Sequence, residues 1–121
     1  MKARISFIAT LLCVAFAAPL RVDAQPTSKI PRIGYLSGAT PATGGPFVEA
    51  FKQGLRELGY VEGQNITLEV RWAEGRTERI PDLVAELVRF KVDVLVVATA
   101  PGALAAKNAT RTIPIVFVGV G

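Results

Sequence analysis

Small hydroxyl residues and glycines gather in three short segments of this 121-residue chain, and their chemistry is that of ligand binding. The segments are Ser37 to Gly45, Thr99 to Gly102 and Gly119 to Gly121. Hydroxyl groups and free backbone N–H groups at the start of a helix suit a carboxylate or another polar small molecule. The same residue types also form ordinary turns, so each residue alone could serve either in ligand binding or only in a turn. The candidate ligand-binding residues are Ser37, Gly38, Ala39, Thr40, Thr99, Ala100 and Gly119.

Side chains that perform catalysis or hold metals are scarce. The sequence contains no His, which removes the most common general base and metal ligand, and a Ser-His-Asp triad cannot be completed within it. The patterns GxGxxG, GxxxxGK[ST] and GxSxG are absent, so neither a nucleotide site nor a nucleophile elbow is supported. We therefore predict no catalytic residue, no metal site and no cofactor.

The first 24 residues have the three-part layout of a secretory signal peptide. Lys2 and Arg4 precede the uncharged apolar stretch 5–18, and Val22-Asp23-Ala24 offers a cleavage site. The apolar stretch is shorter than the ~20 residues that span a bilayer, which favours cleavage over an uncleaved anchor. Cleavage after Ala24 would remove the only Cys and leave a periplasmic chain that does not span the membrane.

The charge of the remaining chain is modest and dispersed. The sequence has 14 Lys+Arg and 10 Asp+Glu. Residues 1–24 hold three of the basic residues and one of the acidic ones, so the rest carries 11 − 9 = +2. These charges are interspersed and form no basic stripe, which predicts that nucleic acid is not a partner.

Strand and helix patterns alternate along the rest of the chain. A polar lead-in over 25–31 is followed by predicted strands at 32–36, 66–73, 92–98 and 113–120. Between them lie predicted helices at 46–58 and 101–108, and an amphipathic helix that Thr77 caps and whose apolar residues run from Ile80 to Val88.

This alternation predicts an α/β fold with a parallel sheet and helices on both faces. The second strand alternates apolar and polar residues, as an edge strand does, whereas the third and fourth are nearly all apolar and belong inside. The predicted strand order is therefore 2-1-3-4. Ligands bind such sheets beyond the carboxyl ends of the strands, where the order reverses. Here that point lies between strands one and three, where the candidate residues are.

The first helix is predicted to begin at Pro46 and to end before Gly59. Tyr35 is predicted to pack against a helix that covers the sheet. Trp72 has two readings, packing on the first helix or stacking on a ligand at the rim of the crevice. Apolar residues of the first helix fall on one face at spacings of four, four and three, namely Phe47, Phe51, Leu55 and Leu58.

Five segments together resemble the ABC-transporter substrate-binding proteins of the tryptophan/tyrosine-uptake-like group. The stretch from Leu58 to Asn65, Leu-Gly-Tyr-Val-Glu-Gly-Gln-Asn, is the most specific part. The segments are Pro31–Ser37, Phe51–Ile66, Arg71–Gly75, Ala105–Thr110 and Ile113–Phe117.

The resemblance implies a two-lobed type 1 periplasmic-binding fold, of which residues 32–121 would be a partial first lobe. It implies a receptor without enzymatic activity that closes on a small solute and delivers it to an ABC permease with its ATPase; an aromatic amino acid is one suggested ligand. First-lobe contacts would come from Ser37 to Thr40 and from the loop after the third strand. The family often has Gly-Thr-Pro in that loop, whereas this chain reads Thr99-Ala100-Pro101.

Two alternatives stay open at this stage, a secreted α/β hydrolase and an extracellular ligand-sensing domain of the same fold. The sequence beyond Gly121 would distinguish them, because a second βαβ series favours the receptor and a His with a nucleophile at strand ends favours the enzyme. The apolar fourth strand would be a poor free edge, which leads us to expect that this sequence is the front part of a longer protein.

Overall fold

The computed structural model describes residues 29–119, in which four segments rich in aliphatic residues form one parallel sheet. The strands are β1 (Arg32–Ser37), β2 (Thr67–Trp72), β3 (Val94–Val97) and β4 (Ile115–Phe117). Their order is β2-β1-β3-β4, and every neighbouring pair is parallel. The predicted strand order is confirmed.

Three helices connect the strands and cover both faces of the sheet. They are α1 (Pro41–Glu57), α2 (Ile80–Arg89) and α3 (Ala100–Ala109), and a 3-10 turn at Thr77–Arg79 precedes α2. Successive strand residues point to opposite faces, so the core has two halves. One half packs β1, β2 and β3 residues against α1, and the other packs the same sheet against α2 and α3.

The α1 face contains the aromatic contacts that the sequence predicted. The Tyr35 and Phe51 rings lie 5.3 Å apart between centroids at an interplanar angle of 58°, a tilted arrangement that aromatic pairs favour. Trp72 packs on α1 beside Gly44, where an added Cβ would lie 2.6 Å from the Trp72 ring atom Cζ3. Packing of Tyr35 on a helix and of Trp72 on the first helix are both confirmed.

The opposite face contains the most deeply buried side chains of the described residues. Leu36, Leu95 and Val97 of the sheet pack there against the apolar stripe of α2. Ile80, Leu83, Val84 and Leu87 are all buried on that stripe. The predicted amphipathic pattern of α2 is therefore confirmed.

The starts of two helices differ from the prediction. Helix α1 begins at Pro41, five residues before Pro46, because Thr40 forms a capping box with Thr43. Thr77 opens the 3-10 turn and does not cap α2, which starts at Ile80 with no side-chain cap.

The residues of α1 that pack against the sheet differ from the predicted set. Phe47 and Leu58 are 71% and 75% exposed, so the predicted burial of these two residues is wrong. Val48 is buried instead, together with half-buried Phe51 and Leu55. Val48, Phe51 and Leu55 recur at spacings of three and four, as residues that share one helix face do.

Strand β4 is shorter and more exposed than predicted. It spans three residues, and Val116 and Phe117 are 46% and 48% exposed. Among the described residues β4 pairs with β3 on one side only, so the prediction of burial on both faces is wrong for this part of the chain. The predicted signal peptide, residues 1–24, lies outside the described residues, as do residues 120–121. No helix within residues 29–119 has the length and apolarity needed to cross a membrane.

Candidate functional site

A cleft of about 1020 Å³ opens at the carboxyl ends of β1, β3 and β4. The first turns of α1 and α3 flank it, and fourteen residues line it. This is the point where the strand order reverses, since β1 has β2 on one side and β3 on the other. Ligands of open α/β sheets bind at such a point.

The structure brings six of the seven sequence-predicted residues together in the lining. Thr40 is the exception, because its hydroxyl is used inside α1. The Thr40 Oγ1 accepts the Thr43 N–H at 3.2 Å, and the Thr43 Oγ1 accepts the Thr40 N–H at 3.2 Å. A ligand-binding role for the lining residues remains a prediction. The six in the lining are Ser37, Gly38, Ala39, Thr99, Ala100 and Gly119.

The loop after β1 presents one free backbone donor to the cleft. Ser37 is buried, and its Oγ accepts the Ala39 N–H at 3.1 Å, which fixes the turn. The Gly38 N–H forms no hydrogen bond with any residue of 29–119. Because this half-buried N–H has no partner within the described chain, it is free to donate to water or to a ligand in the cleft.

The start of α3 adds a hydroxyl and further donors. Thr99 occupies the N-cap position, yet its side chain makes no capping hydrogen bond. It lies against Gly38, where an added Cβ would be 3.6 Å from the Thr99 Cβ. The first N–H groups of a helix have no partner within the helix, which applies here to Ala100 and Gly102, while Pro101 has no N–H. Together with the helix dipole these groups suit an anion such as a carboxylate.

Two glycines allow the helix starts to lie this close to the strand ends. A Cβ on Gly44 would lie 3.1 Å from the Ser37 Oγ and 2.6 Å from Trp72. A Cβ on Gly102 would lie 2.7 Å from the Val97 Cγ1 and 2.8 Å from the Leu36 Cδ2. Real Cβ atoms essentially never lie within 3.0 Å of another heavy atom, so a larger residue at Gly44 or Gly102 would force the neighbouring side chains or the helix itself to shift.

The rest of the cleft is an apolar wall with no charge. Phe47 projects from the second turn of α1 and Phe117 from the end of β4, both largely open to solvent. Burial raises the pKa of Tyr35, so its phenol stays neutral at physiological pH. None of the fourteen lining residues is charged. The remaining apolar or small members are Gly44, Ala50, Phe51, Ala98 and Val118.

This composition suits a molecule with a small polar group and an apolar body. Proton transfer needs an acid–base side chain near neutral pKa, and the lining contains no His, Asp, Glu, Lys or Cys. Within residues 29–119 no three His, Cys, Asp or Glu side chains are grouped to hold a metal ion. The chemistry of the cleft is therefore hydrogen bonding and apolar contact.

Sequence reasoning missed the aromatic part of the wall. Phe47 was placed on the same face as Phe51, Leu55 and Leu58 of a helix starting at Pro46, whereas in the structure it is exposed and lines the cleft. Thr40 followed by Pro41 is an N-cap with proline at the first helical position, and this signal could have located the start. Phe117 was assigned to a strand buried on both faces, and no local signal marks its exposure.

Comparison with known proteins gives a consistent picture. The sequence model described as "ABC transporter substrate binding protein" matches residues 45–121. A curated tyrosine-binding protein from Clostridioides difficile (strain R20291) is 31% identical over 72 residues. That alignment covers 60% of this chain and 21% of the relative.

Solved structures share the fold. A conserved domain protein from Vibrio cholerae matches with a TM-score of 0.67 and 29% identity, over 74% of this chain. The ligand-free, open structure of a substrate-binding protein with adhesive properties from Clostridium difficile matches with a TM-score of 0.66 and 24% identity, over 73% of this chain. An ABC domain in complex with L-Trp from Streptococcus pneumoniae matches with a TM-score of 0.65 and 21% identity, over 74% of this chain. The chain spans about 30% of the length of each of these structures.

Proposed function

The chain belongs to the ABC transporter substrate-binding protein family, and on that premise we propose that it is part of the periplasmic receptor of an ABC importer. In this proposal the receptor captures a small solute and delivers it to the permease with its ATPase. The observation that carries the proposal is the cleft itself, whose lining combines unpaired donors with aromatic rings and has no charged residue.

The proposed ligand is an amino acid with an aromatic side chain. Its carboxylate would accept hydrogen bonds from the Gly38 N–H, the Thr99 hydroxyl and the first N–H groups of α3, because helix starts favour negative charge. Its ring would contact Phe47 and Phe117, which offer apolar area beside those donors. Support comes from two relatives, one named as a tyrosine-binding protein and one solved with L-Trp.

Capture is proposed to occur by closure of two lobes about a hinge. Residues 32–121 would be part of the first lobe, and a second lobe would cover the cleft. The large exposed area of Phe47 and Phe117 supports this arrangement, since exposed apolar residues grouped at one place mark a surface that a partner or ligand covers. Periplasmic location depends on the predicted signal peptide at residues 1–24.

The proposal includes that the protein is not an enzyme. The relatives are binding proteins, and the cleft lining has no acid–base side chain near neutral pKa. A hydrolase would require a nucleophile with a base in hydrogen-bond reach, and the lining contains no such pair.

Calorimetry on the full-length protein tests the proposal. We expect L-tyrosine or L-tryptophan to bind. Tyramine and tryptamine are matched controls because they lack only the carboxylate, and we expect them to bind about a hundredfold more weakly or worse, since the donors of the cleft are left unpaired. Equal binding of the amine and the amino acid, or no binding of any amino acid in a full panel, would contradict the proposal.

A further inference from the structure

A turn that does not line the cleft is hydrogen-bonded to the loop after β1, which does line it. Ala73, Glu74 and Gly75 follow β2, and their three backbone N–H groups donate to three consecutive carbonyls, one at the end of β1 and two in the loop after it. Ala73 donates to the Ser37 carbonyl at 2.8 Å, Gly75 to the Gly38 carbonyl at 2.8 Å and Glu74 to the Ala39 carbonyl at 3.1 Å. The whole carbonyl side of this loop is therefore bonded to the turn.

These bonds determine the direction of the free donor in the cleft. In a trans peptide the C=O and the following N–H point in opposite directions. Because the Ser37 carbonyl is bonded towards the β2 side, the Gly38 N–H is directed towards the β3 side, where Thr99 lies. Loss of the turn would let this peptide rotate and the donor leave the cleft.

The turn has a backbone conformation that few sequences adopt. Glu74 and Gly75 both have positive φ, at 55° and 77°, and a positive φ is uncommon for a residue other than glycine. Two contacts hold it, the Arg76 N–H to the Ala73 carbonyl at 2.9 Å and the Arg79 Nη1 to the Glu74 Oε1 at 2.9 Å. A conformation of this kind persists where the surrounding structure fixes it, and such positions cluster at functional sites.

We infer that the Ala73–Gly75 turn is a positioning element for ligand binding, which sets the orientation of the Gly38 N–H before the ligand arrives. This inference rests on the proposed function. It assigns a role in ligand binding to three residues that do not line the cleft. A binding-competent loop that is already ordered lowers the free-energy cost of binding.

Two glycine substitutions form a matched pair that tests the inference. Gly75→Ala places a Cβ in open space, because no heavy atom lies within 4 Å of that position, so it acts only through the strain of its φ of 77°. Gly59→Ala is the control, since Gly59 also has a positive φ, 94°, and equally open surroundings. Gly59 follows α1, whereas Gly75 bonds to the cleft loop.

Affinity for L-tyrosine, measured by calorimetry on the full-length protein, separates positioning from general destabilisation. We expect Gly75→Ala to weaken binding about tenfold, if the ordered loop falls to about a tenth of the population. Gly59→Ala is expected to stay within about twofold of the parent, as a distant independent site does. Gly75→Asn should fall between the two, because Asn tolerates positive φ. Equal affinities for the Gly75→Ala and Gly59→Ala proteins would overturn the inference.

Amide hydrogen exchange without ligand gives a second readout that does not depend on the proposed ligand. We expect faster exchange over residues 38–44 in the Gly75 variants than in the parent or in Gly59→Ala, because loop opening exposes these amides. If the parent protein binds no amino acid, the proposed function fails, and unchanged exchange over 38–44 in both Gly75 variants would independently overturn the role of the turn. Should Gly75→Ala not fold, Gly75→Asn supplies both measurements.

Discussion

The two ends of the sheet use their polar groups in opposite ways. At the amino end, the Arg32 N–H donates to the Asp93 Oδ2 at 2.8 Å and the Arg32 Nη1 to the Phe90 carbonyl at 2.8 Å. Asn65 bonds there to the Val61 N–H at 2.7 Å and to the Gly59 carbonyl at 2.9 Å. These side chains close the amino-end loops with bonds inside the chain.

At the carboxyl end, two donors have no partner inside the described part of the chain although the loops around them are internally bonded. The Gly38 N–H has none within residues 29–119, and the Thr99 hydroxyl does not cap the helix that it precedes. Under the proposed function, the amino end of the sheet serves stability and the carboxyl end keeps these two donors for a ligand.

The largest expected effect tests whether the carboxyl end depends on close backbone approach. We expect Gly44→Ala to lower the free energy of unfolding by about 1–3 kcal/mol, because the new Cβ overlaps Trp72 and Ser37. Gly54→Ala in the same helix has open surroundings and should raise stability by about 0.5–1 kcal/mol. Urea unfolding of both variants is the measurement. Equal stabilities for the two would contradict the packing that brings α1 to the cleft.

A smaller effect should appear in binding alone. Thr99→Val keeps the shape of the side chain and removes the hydroxyl, so we expect affinity for L-tyrosine to fall about tenfold, or about 1.4 kcal/mol, with stability changed by less than about 0.5 kcal/mol. Thr112→Val is the control, since Thr112 precedes β4 and lies away from the cleft lining. Titration calorimetry and thermal unfolding measure the two quantities. Unchanged affinity in Thr99→Val would remove this hydroxyl from the site.

The smallest effect should appear in stability alone, at the amino end. Asp93→Ala removes the acceptor of the Arg32 N–H and the 3.7 Å ion pair with Lys29, at a cost of about 1 kcal/mol. Glu57→Ala makes the same charge change at the exposed end of α1 and should cost less. Chemical denaturation gives the stabilities, and calorimetry should show parent-like affinity. A clear loss of affinity in Asp93→Ala would contradict the proposal that the amino end of the sheet serves stability and not ligand binding.

The local pattern of the sequence was enough for most of the fold. Alternating residues of β2 and the apolar run of β3 indicated an edge strand and an inner strand, and from these the order β2-β1-β3-β4 followed. Both are properties of a few consecutive residues. The same reasoning located the reversal point, and six of seven predicted residues line the cleft there.

The prediction of the start of α1 failed at a position where the residue type is set by tertiary contacts. Gly44 and Gly45 indicated a loop, and the helix was therefore predicted to begin at Pro46. Gly44 lies in the first turn of α1, where a side chain would overlap Ser37 and Trp72. The need for glycine at position 44 therefore comes from contacts with other segments, whereas the helix start itself had a local signal in Thr40 and Pro41.

The sequence by itself determined the elements, their order and the edge of the sheet that opens to a cleft, because hydrophobic period is a local property that fixes which faces are buried. Tertiary structure decided which groups face that cleft. Phe47 and Phe117 line the cleft, Thr40 caps α1, and the Ala73–Gly75 turn is hydrogen-bonded to the loop after β1. The physical reason is that hydrogen-bond partners and close packing are set by positions in space, which the order of residues alone does not give.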